Sequence, residues 1–159
     1  MDTLYGSVII RTAQPDEVAG LMEQSSALLS SLYPAESNHL VSAEELSGTK
    51  AVLLGAFLGE SPVGMIGLVD CREEGYAEVK RLFVSEVHRG AGIATALMAE
   101  VEALAIEWGL FLMRLETGVK QPESLSLYSR LGYVTREAFG RYLEDEHSVF
   151  MERTLTAER

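Results

Sequence analysis

The chain has 159 residues, 47% of them hydrophobic, so it is long enough for one domain with a sizeable buried core. Its formal net charge of −11 argues against nucleic-acid or anionic-membrane partners, because both are bound through clustered lysine and arginine. Its single cysteine, Cys71, cannot form an internal disulfide, and neither a signal-peptide pattern nor an apolar run of ~18 residues is present, so we expect a cytoplasmic protein without a membrane span.

The predicted elements run in the order strand, helix, three-stranded meander, helix, strand, helix and two closing strands. Strands are predicted from β-branched residues and alternation at 7–13, 51–59, 62–71, 76–84, 110–118, 133–140 and 147–155. Helical spacing of apolar residues predicts helices within 14–34, at 92–108 and at 122–132, with a short helix within 35–48. The strand–helix–strand passages require parallel neighbours and the meander requires antiparallel ones. The expectation is an α/β (α+β) fold, with a mixed sheet, helices on both faces and one domain over 1–159.

The stretch HRGAGIAT (88–95) predicts an anion-binding cradle between a strand and a helix. Main-chain N–H groups are unpaired where a helix begins, and the helix dipole is positive there. Gly90 and Gly92 allow an anion to approach the main chain, Arg89 adds a positive charge, and Thr95 adds a hydroxyl. The alternative is an ordinary glycine-containing loop.

Two common phosphate motifs do not fit this loop. A Walker P-loop requires a G-x-x-x-x-G-K-[ST] run, which the sequence lacks. The G-x-G-x-x-G dinucleotide fingerprint fails at Thr95, which stands where a third small residue is needed, and at the five residues between Val84 and Gly90. The preceding strand also carries charged residues, which a fully buried parallel strand would not.

The loop does match a third pattern, [QR]-x-x-G-x-[GA], over Arg89–Ala94. A second segment, QPESLSLYSRLGY (121–133), is similar to N-x-x-A-I-x-L-Y-x-x-x-G-[FY], with Gln121 in place of Asn and Ser124 in place of Ala. Together with the element order, these motifs mean that the chain resembles the GNAT superfamily of N-acetyltransferases. The resemblance implies a GNAT fold with a six- to seven-stranded mixed sheet and a central pair of parallel strands that splay apart.

The resemblance also implies that acetyl-CoA is the acetyl donor. The loop would bind its pyrophosphate, the free edge of the strand before the loop would pair with its pantetheine amides, and an N–H near Phe83 or Val84 would polarise its thioester carbonyl. The residues expected to contact it are Leu82, Phe83, Val84, Arg89, Gly90, Ala91, Gly92, Ile93, Ala94, Thr95, Gln121, Ser124, Leu127, Tyr128 and Arg130. A plain core strand explains the hydrophobicity of 82–84 equally well, and Arg130 either reaches a phosphate or faces solvent. No metal-ligand spacing is present, so no metal is expected.

Two catalytic residues are carried over from the family. An acceptor amine of pKa ~10 must lose a proton before it attacks, and Glu78 is the candidate base. The leaving thiolate must gain a proton, and Tyr128 stands where the family places the acid. The alternatives are a surface glutamate paired with Lys80 or Arg81, and a tyrosine packed on the core.

The acceptor is predicted less sharply than the donor. Arg81, Glu116, His39 and Tyr33 are weak candidates for substrate contacts. A small amine or amino acid is the leading acceptor, by direct transfer in a ternary complex. A protein N-terminus or lysine is the second hypothesis, and a CoA-binding module without catalysis is the third. Many relatives dimerise, so a homodimer is an expectation that rests on the resemblance alone.

Overall fold

The computed structural model describes residues 2–156 and contains one eight-stranded sheet. The strands are β1 (Thr3–Tyr5), β2 (Val8–Thr12), β3 (Ala51–Leu58), β4 (Ser61–Cys71), β5 (Tyr76–Val84), β6 (Leu112–Gly118), β7 (Val134–Arg136) and β8 (Ser148–Thr154). Their spatial order is β1-β2-β3-β4-β5-β6-β8-β7. Only β5 and β6 pair in parallel, and all other neighbours are antiparallel, so the predicted mixed sheet is confirmed.

Four α-helices lie on the two faces of the sheet: α1 (Ala19–Leu32), α2 (Ala43–Leu46), α3 (Ile93–Glu107) and α4 (Pro122–Arg130). Leu97, Met98 and Val101 of α3 are completely buried in a core that also contains Leu127 and Tyr128 of α4. On the opposite face, α1 and α2 pack against β3 and β4 in a second core. The predicted helices on both faces are therefore confirmed.

The sheet has eight strands, one more than the upper end of the predicted six to seven. The additional strand is β1, which pairs with β2 across a tight turn at Gly6, where φ is 61°. The turn has the left-handed backbone that favours glycine in a two-residue hairpin loop. β1 was not predicted, because three residues are too few to show an alternating pattern.

The strand β5 places its side chains on both faces, and this determines where charged groups lie. Ala77 and Val79 belong to the core beneath α3. Glu78 and Lys80 alternate with them and therefore point to the other face, where loop 137–147 covers the sheet. The sequence pattern had left the buried face undecided.

Among residues 2–156, no helix is both long enough and apolar enough to cross a membrane.

Candidate functional site

The parallel strands β5 and β6 separate after a short paired section. They are paired at only three positions, the last of which joins Val79 to Leu115. The β4–β5 register also shifts between Met65 and Gly67, and the extra residue on β5 lies at Arg81, whose φ is 57°. A non-glycine residue in this conformation costs about 1 kcal/mol or more, so the bulge must be held by its surroundings. The bulge and the separation leave the end of β5 without a partner on the β6 side.

A groove of about 630 Å³ runs along this free edge to the start of α3. It is lined by thirteen of the fifteen predicted cofactor residues: Leu82, Phe83, Val84, Arg89, Gly90, Gly92, Ile93, Ala94, Thr95, Gln121, Ser124, Leu127 and Arg130. Ala91 does not line it, and Tyr128 lines a neighbouring cleft instead. Residues that are distant in sequence therefore form one continuous surface.

The loop before α3 has the geometry of an anion cradle. Gly90 and Gly92 have φ of 84° and 81°, and no atom lies within 4 Å of the position a β-carbon would take at either. The Arg89 Nε donates a hydrogen bond to the Val84 carbonyl at 3.0 Å, and this guanidinium lies 5.4 Å from the centre of the Phe83 ring. Arg89 therefore braces the loop onto the end of β5, in addition to supplying positive charge. These features fit a pyrophosphate, which needs open access to main-chain N–H groups.

A smaller cleft of about 100 Å³ lies beside the groove and is lined by residues of both β5 and β6. Five residues line both cavities, so the two meet: Leu28, Leu82, Phe83, Gln121 and Ser124. The cleft is also lined by the segment between α1 and α2, from Ser37 to Leu40, and by His147. All of the weak substrate candidates, Arg81, Glu116, His39 and Tyr33, lie on its wall.

Tyr128 lies where the cleft meets the groove. Its side chain is 5% exposed, and its ring contacts Tyr133 edge to face at 5.9 Å between centroids. Burial raises the pKa of Tyr128 well above the ordinary value for a phenol, and the negative charge of Glu116 raises it further. The hydroxyl is therefore protonated at neutral pH. Within residues 2–156, the structure records no hydrogen bond from this hydroxyl, which leaves its proton free for a ligand.

Glu78 is separated from the cleft. It is 7% exposed, it is not a lining residue, and its carboxylate accepts a hydrogen bond from the Tyr142 hydroxyl at 2.5 Å. The Lys80 Nζ lies 3.2 Å from the same carboxylate oxygen and also donates to the Tyr142 hydroxyl. His39 packs edge-on against the Tyr142 ring, at 5.0 Å between centroids. Glu78 is thus held in a closed cluster beneath loop 137–147.

Glu116 lies one residue beyond the last β5–β6 pair and lines the cleft. Its Oε2 accepts a hydrogen bond from the Ser148 hydroxyl at 2.8 Å. Burial raises the pKa of Glu116 to about 7, although this hydrogen bond and the charge of Lys80 act in the opposite direction. A carboxylate of this kind can exchange a proton near neutral pH.

Arg81 and Tyr33 are tied to the protein frame as well as lining the cleft. Arg81 donates from one terminal nitrogen to the Met22 carbonyl and the Ser26 hydroxyl, and burial lowers its pKa. No carboxylate contacts Arg81 in the described part of the chain. Tyr33 joins the end of α1 to the β6–α4 connection, because its hydroxyl accepts a hydrogen bond from the Lys120 N–H and donates one to Gln121.

Two functional candidates were missed from the sequence: Tyr142 and Ser148. Tyr142 lies in a loop with no motif, and nothing in the sequence brings it to Glu78. Ser148 begins β8, where it pairs with Gly118, and only the register of β6 and β8 reveals that it reaches Glu116.

No group of three His, Cys, Asp or Glu residues with metal-binding geometry occurs in residues 2–156.

Comparison with known proteins identifies the class to which this site belongs. The model of the acetyltransferase (GNAT) family matches residues 19–133. An IAA acetyltransferase of Azospirillum brasilense is 39% identical over 140 residues, which are 88% of this chain and 92% of that protein. The chain belongs to the GNAT acetyltransferase family.

Solved structures agree with this assignment. A putative acyl-CoA N-acyltransferase from Klebsiella pneumoniae is 31% identical and superposes with a TM-score of 0.77, covering 98% of this chain and 99% of that one. The PaiA N-acetyltransferase of Thermoplasma acidophilum, solved in complex with coenzyme A, shares the fold with a TM-score of 0.72 at 20% identity, over 93% of this chain and 99% of that one. This protein is an acetyl-CoA-dependent N-acetyltransferase.

Proposed function

We propose that this enzyme transfers an acetyl group from acetyl-CoA directly to the primary amine of a small metabolite or amino acid, with both substrates bound at once. The observation that carries the proposal is the meeting of the groove and the cleft beside Tyr128. A donor bound in the groove and an acceptor bound in the cleft would touch there, so no covalent enzyme intermediate is required.

The chain's own groups suit the donor. Acetyl-CoA supplies an activated thioester. We assign the pyrophosphate to the N–H groups at the start of α3 and the pantetheine amides to the free edge of β5, from Lys80 to Val84. Arg130 lines the groove and is our candidate for a further phosphate contact.

Tyr128 is the proposed acid. Its buried, protonated hydroxyl is positioned to give a proton to the departing sulfur, which would otherwise leave as a thiolate.

The size and charge of the cleft support a small acceptor that carries a carboxylate. The cleft of about 100 Å³ is narrow compared with the groove, and it is overhung by 37–40. Its wall includes Lys80, Arg81 and two histidines. Lys80 is paired with Glu78, whereas Arg81 is held only by neutral groups. A substrate carboxylate would lower the cost of burying the Arg81 charge. The relative at 39% identity is named for a single acceptor, IAA, and we extend only acetyl transfer from it to this chain.

The test is acetyl-CoA turnover, followed by thiol release, with three matched acceptor groups. These are amino acids, the corresponding amines without the carboxylate, and peptides with a free N-terminus or lysine. We expect release with amino acids, and a kcat/KM at least ~10-fold lower for the amines that lack the carboxylate. Release with peptides alone would overturn the small-acceptor proposal in favour of protein acetylation. A homodimer, which rests on the resemblance, is checked separately by sedimentation.

A further inference from the structure

We propose that Glu116, and not Glu78, is the catalytic base that takes a proton from the acceptor amine. The inference rests on the proposed function in one respect, namely that the acceptor enters as a protonated amine. It assigns to the end of β6 a role that the family resemblance placed on β5.

Position is the first argument. Glu116 lies just past the point where β5 and β6 separate, and its side chain lines the same cleft as Tyr128. Ser148 fixes Oε2 at 2.8 Å, while no hydrogen bond to Oε1 is recorded in the described part of the chain. One carboxylate oxygen is therefore anchored, and the other is available to a ligand.

Glu78 lacks this access. Its Oε2 is occupied by the Tyr142 hydroxyl and the Lys80 ammonium, and loop 137–147 lies over it. A base must come within hydrogen-bond reach of the proton that it removes, directly or through one water. Because Glu78 does not line the cleft, an acceptor bound there is out of its direct reach.

The surroundings of Glu116 suit a proton acceptor that works near neutral pH. Burial raises the pKa of Glu116 to about 7; Ser148 and Lys80 lower it, whereas Glu78 and Asp145 raise it. The titratable or charged groups that face this region come from each neighbouring element: Lys80, Glu78 and Arg81 of β5, Tyr33 after α1, His39 of the segment before α2, Tyr128 of α4, and Tyr142, Asp145 and His147 of the covering loop. Glu78 then acts through its negative charge, which raises the pKa of Glu116.

The proton balance closes with Glu116 and Tyr128 alone. A protonated primary amine must lose two protons to become an amide. Glu116 takes the first, which frees the lone pair to form the C–N bond as the C–S bond breaks. Tyr128 gives its proton to the departing sulfur, and the second proton from nitrogen restores the tyrosine hydroxyl. Glu116 then releases its proton to water.

The first experiment compares the pH dependence of kcat/KM in the wild type and in Glu116→Gln, with Glu107→Gln, an exposed glutamate at the end of α3, as control. In the wild type, kcat/KM should rise with pH and level off above about 7. In Glu116→Gln it should be lower by ~10²-fold or more at neutral pH and should keep rising toward the amine pKa of ~10, because only the neutral amine then reacts. Glu107→Gln should follow the wild type. A Glu116→Gln enzyme with the wild-type profile would overturn the proposal.

Two neighbours provide a second test that a purely structural role would not pass. Ser148→Ala removes a hydrogen bond that lowers the pKa of Glu116, so the rising limb of the kcat/KM profile, where kcat/KM increases with pH, should move to higher pH. Glu78→Gln removes a negative charge that raises it, so the limb should move to lower pH. If Glu78 were the base, Glu78→Gln would instead lose the limb altogether, and the proposal would fail.

A third measurement needs no acceptor and so separates this inference from the proposed function. In protein carrying ¹³C-carboxyl glutamate, the NMR signal missing from Glu116→Gln should titrate near 7. A midpoint at the ordinary glutamate value of ~4.3 overturns the inference, whatever the acceptor proves to be. If the midpoint is near 7 and no small amine is acetylated, the small-acceptor proposal fails and the kinetic tests are run with the peptide acceptor.

Discussion

The groove and the cleft recognise their ligands by different physical means. The groove offers main-chain groups: the free edge of β5 and a loop with two glycines at positive φ. The cleft offers charged and polar side chains from six separate parts of the chain, some of them buried. Recognition by main-chain groups requires no buried charge, so it lowers the stability of the fold little. Buried charges, in contrast, cost folding free energy unless they are paired. We therefore expect substitutions of buried charged residues in the cleft to raise stability while they lower activity. Substitutions in the groove should mainly weaken donor binding.

The largest effect predicted from this contrast is on stability at Glu116. Its pKa rises from 4.5 to about 7 on folding, so between these values the folded protein holds a proton that the unfolded chain has lost. Stability should therefore fall as pH rises through this window. Glu116→Gln has no such group, so its free energy of unfolding should gain up to about 3 kcal/mol relative to the wild type between about pH 4 and 8.

Chemical denaturation across this pH range measures the gain, and Glu107→Gln should show none of it. If the free energy of unfolding of Glu116→Gln and of the wild type changed in parallel with pH, burial of the Glu116 carboxylate in the cleft would cost no stability. The cleft and the groove would then not differ in this respect.

The next effect concerns turnover at the junction of the two cavities. Tyr128→Phe keeps the buried ring and its contact with Tyr133 but removes the proposed acid, so kcat should fall by ~10²-fold while the affinity for CoA is unchanged. Steady-state kinetics and calorimetry measure the two quantities.

Tyr133→Phe is the matched control for that substitution. The Tyr133 hydroxyl donates to buried Glu102 at 2.8 Å, away from the cleft, so its loss should lower stability by about 1–3 kcal/mol and leave kcat within a factor of two. Equal kcat values for the two variants would remove Tyr128 from the mechanism.

A smaller effect is expected in the groove at Gly92. An alanine β-carbon meets no atom within 4 Å there, so the cost is the backbone strain at a φ of 81°, about 1–2 kcal/mol. The loop should relax partly, which raises the KM for acetyl-CoA by ~5–10-fold without changing the KM for the acceptor. Gly20→Ala is the control: Gly20 lies in α1 with open space around it and ordinary helical geometry, so alanine should stabilise the protein slightly. A change in acceptor KM for Gly92→Ala would show that the two cavities are coupled.

The same contrast explains how much could be predicted from sequence. The position of the groove could be predicted because its loop is contiguous and glycine positions reflect backbone conformation directly, whereas the binding of CoA by its residues stays a prediction. Thirteen predicted residues line it, and helix α3 begins at Ile93, one residue from the predicted start. Short-range rules are sufficient for such a feature.

The cleft was predicted only as a set of weak candidates. That Glu78 lies under Tyr142 while Glu116 reaches the cleft depends on strand pairing and on the path of loop 137–147. Neither of these features can be read from the residues that flank the two glutamates in the sequence. The unusual backbone of Arg81 was also invisible, because a bulge depends on the register with β4.

The smallest predicted effect lies outside both cavities, at the strand that the sequence analysis missed. The Tyr5 hydroxyl of β1 donates to Glu100 of α3 at 2.7 Å, and burial together with this carboxylate raises the pKa of Tyr5 to about 12. Tyr5→Phe removes one partly exposed hydrogen bond, so the free energy of unfolding in urea should fall by about 1 kcal/mol. Since Thr3 also donates to Glu100, the helix stays attached and both KM values should remain unchanged. A Tyr5→Phe enzyme with an altered KM for acetyl-CoA would mean that the edge of the sheet positions α3, and hence the groove, and that donor binding depends on more than its local loop.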